Sequence, residues 1–522
     1  LKEELTIIYT SDIHGHAMPI HYGTNKKEQI GLAKYATIVK EARIHKENLL
    51  LIDNGDLIQG TPMMTNYVKN YTDKENPMIG IMNQLNIDAG VLGNHEFNFG
   101  KTILSNAVQQ ANYPILSANI INKETGEPQY GPPYIIKTFA DNIKAAIVGV
   151  TTHYVPNWES AEHIDGLEFA DAFETLNKWV QHIRDNHLAD IIIASYHGGF
   201  EADLDTGEPT EILTGENQGY QICQEIPGID VLLTGHQHRE LTGLINDVLV
   251  IQPGNNGKLY GEVSLELLKV NERWMVLNKQ AQLKTFEDVV SDTDTISYLA
   301  PLEQATQEWL DKPIGFIKGD MTISDPLQAR IAKHPFIQFI QDVQMEESGA
   351  AISVTSLLNN SSTGFKSTVT MRDIVSNYMY PNTLVVLQLT GADIKAALEQ
   401  TAQYFVLDET GEIIVNPAYV HPKPQHYNYD MWEGIEYTLH ISKPIGERVG
   451  KLSFQGEPLD MNKTYQAVFN NYRASGGGDY TMFKGKKVIK DIQKDAVALI
   501  QTYFDKYHTI EARIVDNFRV VK

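Results

Sequence analysis

Cysteine is nearly absent: Cys223 is the only one in 522 residues. No intrachain disulfide is possible, a thiolate metal site is implausible, and a buried inert thiol is the default reading. Long apolar runs are missing as well. No stretch approaches the ~18 apolar residues that a membrane-spanning helix needs, so no membrane partner is expected. Basic residues are scarce, with 43 Lys and Arg against 66 Asp and Glu and a formal net charge of −23. Phosphate-backbone binding depends on clustered Lys and Arg, which argues against a polymeric nucleic-acid partner. A small nucleotide is still permitted, because bound metal ions supply local positive charge. Residues 1–10 run straight into a predicted strand and leave no room for a secretion signal. The expectation is a cytoplasmic chain, or an exported one if a signal ahead of Leu1 has been removed.

What is present is ample apolar material. At 522 residues and 42% hydrophobic content, the chain exceeds one ordinary core and suggests two or three domains. Apolar runs at 5–9, 49–52, 89–92, 145–150, 191–194 and 231–233 read as strands. Their apolarity is continuous rather than alternating, which marks strands covered on both faces. Helical stretches at 31–43 and 171–186 lie between them, giving an α/β layered pattern. In such sheets the loops after the strands gather at one edge, where ligands usually bind.

Five polar motifs follow these runs: Asp12-x-His14, Gly55-Asp56, Gly93-Asn94-His95-Glu96, His197-Gly198-Gly199 and Gly235-His236-Gln237-His238. Any one alone usually means a turn or a satisfied histidine. Five at strand ends describe a two-metal phosphoesterase site. Asp12, His14, Asp56, Asn94, His197, His236 and His238 offer two carboxylates, one amide oxygen and four imidazoles. That mixture suits Mn, Zn, Fe or Ni rather than Ca, and seven ligands are too many for one open catalytic ion. Two ions roughly 3.5–4 Å apart clamp both the attacking and the leaving oxygen of a phosphoryl transfer. His16, His21, His153, His163, His182, His187 and His426 have no matching spacing and read as surface or satisfied histidines.

With these motifs the chain resembles the two-domain 5'-nucleotidase and 2',3'-cyclic-nucleotide 2'-phosphodiesterase family, within the calcineurin-like metallophosphoesterases. The resemblance implies a layered β-sandwich flanked by helices and a second α/β substrate-binding domain. It implies a bridging Asp56, with Asp12, His14 and His238 on one ion and Asn94, His197 and His236 on the other. It makes His95 the catalytic histidine beside the metals. Many 5'-nucleotidases have Asn-His-Glu-Phe-Asp where this chain has Asn94-His95-Glu96-Phe97-Asn98, so the residue that orients His95 is the amide Asn98. An amide there resembles the cyclic-nucleotide branch. Glu96 reads as structural or supporting.

A cluster of acidic and hydroxyl residues at 285–294 marks a boundary, and 297–310 reads as one helix. The expected organisation is a metallophosphoesterase domain at 1–290, a linker helix at 291–318 and a nucleotide-binding domain at 319–522. In the last, 384–389 and 463–470 read as strands and 391–404 as a helix. The stretches 380–384 and 471–479 resemble the family's substrate domain. By that resemblance Tyr380 and Tyr472 sandwich the base, at about 1–3 kcal/mol per stacked base, and Asp479 hydrogen-bonds near it. Where 5'-nucleotidases grip phosphate with an arginine-bearing glycine loop, this chain has Ser356-Leu357-Leu358-Asn359-Asn360-Ser361-Ser362, without arginine. The sequence Tyr427-Asn428-Tyr429-Asp430 resembles the cyclic-nucleotide branch.

The expected activity is hydrolysis of 2',3'-cyclic nucleotides and the 3'-nucleotides they yield, by in-line attack of a metal-held hydroxide. A 5'-nucleotidase or nucleotide-sugar hydrolase is the alternative enzyme. A non-catalytic nucleotide sensor is the alternative of another class, and the intact ligand set with His95 argues against it.

Overall fold

Strand side chains point alternately to opposite faces, so a strand apolar at every position is one buried twice. A computed structural model describes residues 1–159, 161–211, 213–378, 382–421, 424–492 and 494–522. Residues 1–21 with 25–307 form one compact unit, and residues 22–24 with 308–522 form a second.

Eleven strands build the two large sheets of the first unit: Lys2–Thr10 (β1), Leu49–Asp53 (β2), Ala89–Gly90 (β3), Tyr134–Thr138 (β4), Lys144–Thr151 (β5), Ile191–His197 (β6), Val231–Leu233 (β7), Glu240–Ile245 (β8), Val248–Pro253 (β9), Leu259–Val270 (β10) and Arg273–Thr285 (β11). One sheet has the order β11-β10-β1-β2-β3 and the other β8-β9-β7-β6-β5-β4. Pairing is parallel along β1-β2-β3 and along β9-β7-β6-β5. It is antiparallel where β10, β11, β8 and β4 join.

The two sheets share a core. Leu5, Ile7 and Tyr9 of β1 and Leu50 and Ile52 of β2 pack with Ala145, Ile147, Ile191, Ile193, Val231 and Leu233. The intervening Ala146, Val148, Ile192 and Ala194 turn to the other face, into a second core with Phe173, Leu176, Val180 and Ile183 of helix Ala172–Asp185. Asp171 caps that helix by accepting from the Glu174 N–H at 3.0 Å. The arrangement is a β-sandwich with a helical outer layer.

One strand is shorter than its apolar run. Past Gly90 the Leu92 N–H turns from the sheet to Ser117 Oγ at 2.9 Å, and residues Asn94–Phe97 then wind into a single turn. The helix expected from 297 begins a turn earlier, at Thr293, and runs to Leu310. Asp292 accepts there from both the N–H and the hydroxyl of Thr295. The division between units falls in its last turn, between Gln307 and Glu308.

The second unit centres on a five-stranded sheet in the order Met431–Glu433, Ile352–Thr355, Thr464–Asn470, Leu384–Thr390, Val488–Ile492. Helix Gly391–Ala402 follows directly, started by a reciprocal cap between Thr390 and Asp393. Among the described residues, no helix is long and apolar enough to cross a membrane.

Candidate metal centre

The first-unit motifs meet at the carboxyl edge of the two sheets. Asp12 and His14 follow β1, Asp56 follows β2, Asn94 and His95 follow β3, His197 ends β6, and His236 and His238 follow β7. Asp12, His14, Asp56, His236 and His238 have φ of 55°, 49°, 54°, 70° and 58°, the left-handed region that non-glycine residues rarely occupy. The loops are also packed too tightly for side chains at their glycines. A Cβ on Gly93 would meet Asp56 Oδ1 at 2.1 Å, and one on Gly235 would meet Ser11 Oγ at 2.1 Å.

Each carboxylate is held by one oxygen and offers the other. Asp12 Oδ2 accepts from the Ser11 hydroxyl at 2.6 Å and the His236 N–H at 3.0 Å. Asp56 Oδ1 accepts from the His95 N–H at 2.8 Å. Asp12 Oδ1 and Asp56 Oδ2 are buried without a hydrogen-bond partner, an arrangement that costs free energy unless a cation meets it.

Imidazole nitrogens surround these two oxygens. Asp12 Oδ1 lies 3.4 Å from His238 Nε2 and 3.8 Å from His14 Nε2, and those two nitrogens are 3.0 Å apart. Asp56 Oδ2 lies 3.2 Å from His197 Nε2 and 3.8 Å from His14 Nε2. Asn94 Oδ1 lies 3.2 Å from His197 Nε2 and 3.0 Å from His236 Nδ1. All seven expected ligand-type residues are thus brought together. Among the described residues, two groups have the spacing of a metal site, Asp12 with His14 and His238, and Asp12 with Asp56 and His197.

The far ring nitrogens are engaged in the way metal-ligating histidines usually are. His197 Nδ1 donates to the Asn54 carbonyl at 2.7 Å, which leaves Nε2 for the site. His236 Nε2 contacts Glu216 Oε1 at 2.8 Å, and Trp158 packs on the His236 ring with centroids 5.3 Å apart. His95 meets His14 edge to face at 5.3 Å, and its Nδ1 contacts Asn98 Oδ1 at 2.7 Å.

The electrostatics show the same demand for positive charge. Burial raises the Asp12 carboxyl, but His197 and His238 outweigh it and hold it at about 2. Burial also opposes ionisation of Asp56, yet His197 and His95 keep it well below the usual carboxylate range. Burial drives His14 down to about 3. His197 is buried too, but Asp56 and Asp12 prevail and push it up to about 10. In the protein alone, an imidazolium at His197 supplies part of the charge that the carboxylates require. The donor set and its two orphaned oxygens fit divalent metal ions.

Two acidic residues that carry no motif signal support this site. Glu216 backs His236, and Glu159 accepts from Asn98 Nδ2 at 2.8 Å. Glu96 binds the motif loops together. Its carboxylate accepts the N–H groups of Asp56, Leu57, Ile58 and Gly93 at 2.7, 2.5, 3.2 and 2.5 Å. His163, expected to be a bystander, contacts Glu159 Oε1 through Nδ1 at 2.7 Å.

In the second unit Tyr472 is exposed at 43%, and Asp479 stands at φ 68° after Gly478. Tyr380 lies outside the described residues. Tyr427 lies beside Tyr472, with ring centroids 6.1 Å apart and planes at 75°. Its signal is the Tyr427-Asn428-Tyr429-Asp430 sequence. Arg473 ties the two segments, pairing with Asp430 Oδ2 at 2.8 Å and donating to the Tyr427 carbonyl at 3.0 Å. The arginine-free loop 356–362 is backed by buried Arg330, which donates to the Leu357 carbonyl at 2.9 Å and to Asn360 Oδ1 at 2.7 Å.

Comparison with known proteins places this architecture. Residues 5–240 match the calcineurin-like phosphoesterase family, and residues 313–485 match the 5'-nucleotidase C-terminal domain. The Salmonella typhimurium 2',3'-cyclic-nucleotide 2'-phosphodiesterase/3'-nucleotidase is 30% identical over 91% of this chain and 82% of that protein. The Bacillus subtilis trifunctional nucleotide phosphoesterase protein YfkN is 27% identical over 99% of this chain, which spans only 39% of that protein's length. A Staphylococcus aureus crystal structure, provisionally named a 5'-nucleotidase, is 36% identical over the whole of both chains with a TM-score of 0.77. The chain belongs to the two-domain family that joins a calcineurin-like metallophosphoesterase to a 5'-nucleotidase C-terminal domain, and it is a metal-dependent phosphoesterase.

Proposed function

We propose that the protein hydrolyses nucleotide phosphoesters, with 2',3'-cyclic nucleotides and the 3'-nucleotides they yield as favoured substrates. The observation that carries the chemistry is the pair of buried, unpartnered oxygens, Asp12 Oδ1 and Asp56 Oδ2, ringed by imidazole nitrogens. Asp12, His14 and His238 would hold one divalent ion, Mn, Zn or similar, and Asn94, His197 and His236 would hold a second, with Asp56 available to both. When bound, such ions lower the pKa of water to about 7 and clamp the attacking and leaving oxygens.

The chain's own residues do the rest. The carboxylates and Asn94 fix the ligand geometry, while Asn54 and Glu216 set the ring orientation of His197 and His236. His95, anchored by Asn98, stabilises the transferring group or protonates the leaving ribose oxygen. Tyr472, Tyr427 and Asp479 provide the nucleoside face in the second unit.

The substrate preference is supported by the name of the Salmonella relative, by the amide at Asn98, and by the loop 356–362 without arginine. A dianionic 5'-phosphate loses more from a missing arginine than a monoanionic cyclic diester does. With saturating Mn at one pH, kcat/KM for 2',3'-cyclic AMP should exceed that for 5'-AMP by at least about tenfold. The name of the Staphylococcus aureus structure supports the second reading, a 5'-nucleotidase, and a higher kcat/KM for 5'-AMP would establish it.

A further inference from the structure

His95 does not end its hydrogen-bond chain at Asn98. Its Nδ1 contacts Asn98 Oδ1 at 2.7 Å, Asn98 Nδ2 donates to Glu159 Oε2 at 2.8 Å, and Glu159 Oε1 contacts His163 Nδ1 at 2.7 Å. The Glu159 side chain is 4% exposed. It comes from the segment after β5, which also places Trp158 on the ring of His236.

An asparagine beside a histidine is ambiguous, because either its oxygen or its NH2 can face the ring. A carboxylate removes the ambiguity. It only accepts, so Asn98 must turn its NH2 to Glu159 and its oxygen to His95. The ring nitrogen facing that oxygen must then carry hydrogen, so the proton that the ring gives to the reacting group is a second one, held at Nε2. We propose that Glu159 is a positioning residue for hydrolysis: acting through Asn98, it holds one proton of His95 on Nδ1, so that the proton exchanged with the reacting group is the one at Nε2. The carboxylate is thus one residue removed from the histidine, and its effect arrives as direction rather than as adjacent charge. This inference rests on the reading that His95 acts at the phosphoryl group.

An exchange of amide and carboxylate tests it, with melting temperature and metal content measured to verify folding. Glu159→Gln lets either end of the new amide face Asn98, so kcat should fall about tenfold with KM little changed. Asn98→Asp sets two carboxylates against each other and also lowers kcat. Adding Glu159→Gln to Asn98→Asp supplies the missing N–H donor, so there the same change should raise kcat about tenfold. Effects of the same sign in both backgrounds overturn the proposal, because anchoring of the segment through His163 does not depend on residue 98.

His95→Ala separates this inference from the reading beneath it. Unchanged kcat in His95→Ala removes the role of His95 itself. A large loss there, with no change in Glu159→Gln, removes only the role of Glu159. If the Glu159 variants fail to fold, nitrogen-15 NMR of the wild-type imidazoles decides. A His95 ring protonated at Nδ1 supports the proposal, and one protonated only at Nε2 overturns it.

Discussion

Asp56 and Asp12 favour a proton on His197, which a metal bound as proposed would displace. Facing them, His197 is pushed up to about 10 from its ordinary 6.5. In the metal-free chain this proton contributes stability that is fully present below about 6.5 and is lost as pH rises through about 10. Between those values metal binding must release it, so metal affinity should rise by about tenfold per pH unit. Calorimetry in buffers of different ionisation enthalpy would show the proton, and a pH-independent affinity would contradict the assignment of His197 as a ligand. His95 differs because, in the proposed arrangement, it adjoins a ligand without being one. His95→Ala should retain normal metal content while kcat falls roughly 10²–10⁴-fold, the scale of a positioned acid or base. Loss of metal in that variant would instead make His95 a ligand.

Among the elements, the turn at Asn94–Phe97 does more than deliver Asn94 and His95. Through Glu96 it satisfies four backbone N–H groups in the loops after β2 and β3. Glu96→Ala would leave those donors buried, at about 1–3 kcal/mol for each one not rescued by water. The melting temperature should drop by several degrees and metal affinity should fall with it; an unchanged thermal transition would show that the loops hold themselves. The strands, their order of use and the ligand-type residues were legible in the sequence, because double burial leaves continuous apolarity and each motif follows it directly. Glu96 reads as supporting from the sequence, but its partners do not, and Glu159 and Glu216 were not legible at all. The contacts that tie them to Asp56, Asn98 and His236 span 20 to 61 residues, and no spacing rule links residues that meet only when separate loops converge. Tyr427 was not legible for another reason: its motif stands in the sequence, but nothing in it distinguishes a half-buried ring from Tyr429, which is fully buried.

For the whole molecule, hydrolysis and nucleoside recognition are assigned to different units, so they should separate by mutation. Tyr472→Ala should weaken nucleoside binding and raise KM for nucleotides, while hydrolysis of bis-p-nitrophenyl phosphate changes little. Stacking is worth about 1–3 kcal/mol, so a five- to hundredfold change in KM is expected, and equal losses on both substrates would indicate a folding defect. The left-handed backbone at Asp12, His14, Asp56, His236 and His238 has a further consequence for how the chain persists. Each such residue costs roughly 1 kcal/mol that glycine would avoid, together a sum comparable with the ~5–15 kcal/mol that keeps an ordinary domain folded. Ligand binding restores stability of similar size, about 4 kcal/mol at a thousandfold excess over Kd. Metal supply and thermal endurance are therefore coupled. Variants screened for heat resistance in chelator would drift toward glycine at positions such as His14, which burial keeps uncharged, yielding a tougher protein with impaired chemistry, whereas the same screen run in Mn would preserve it.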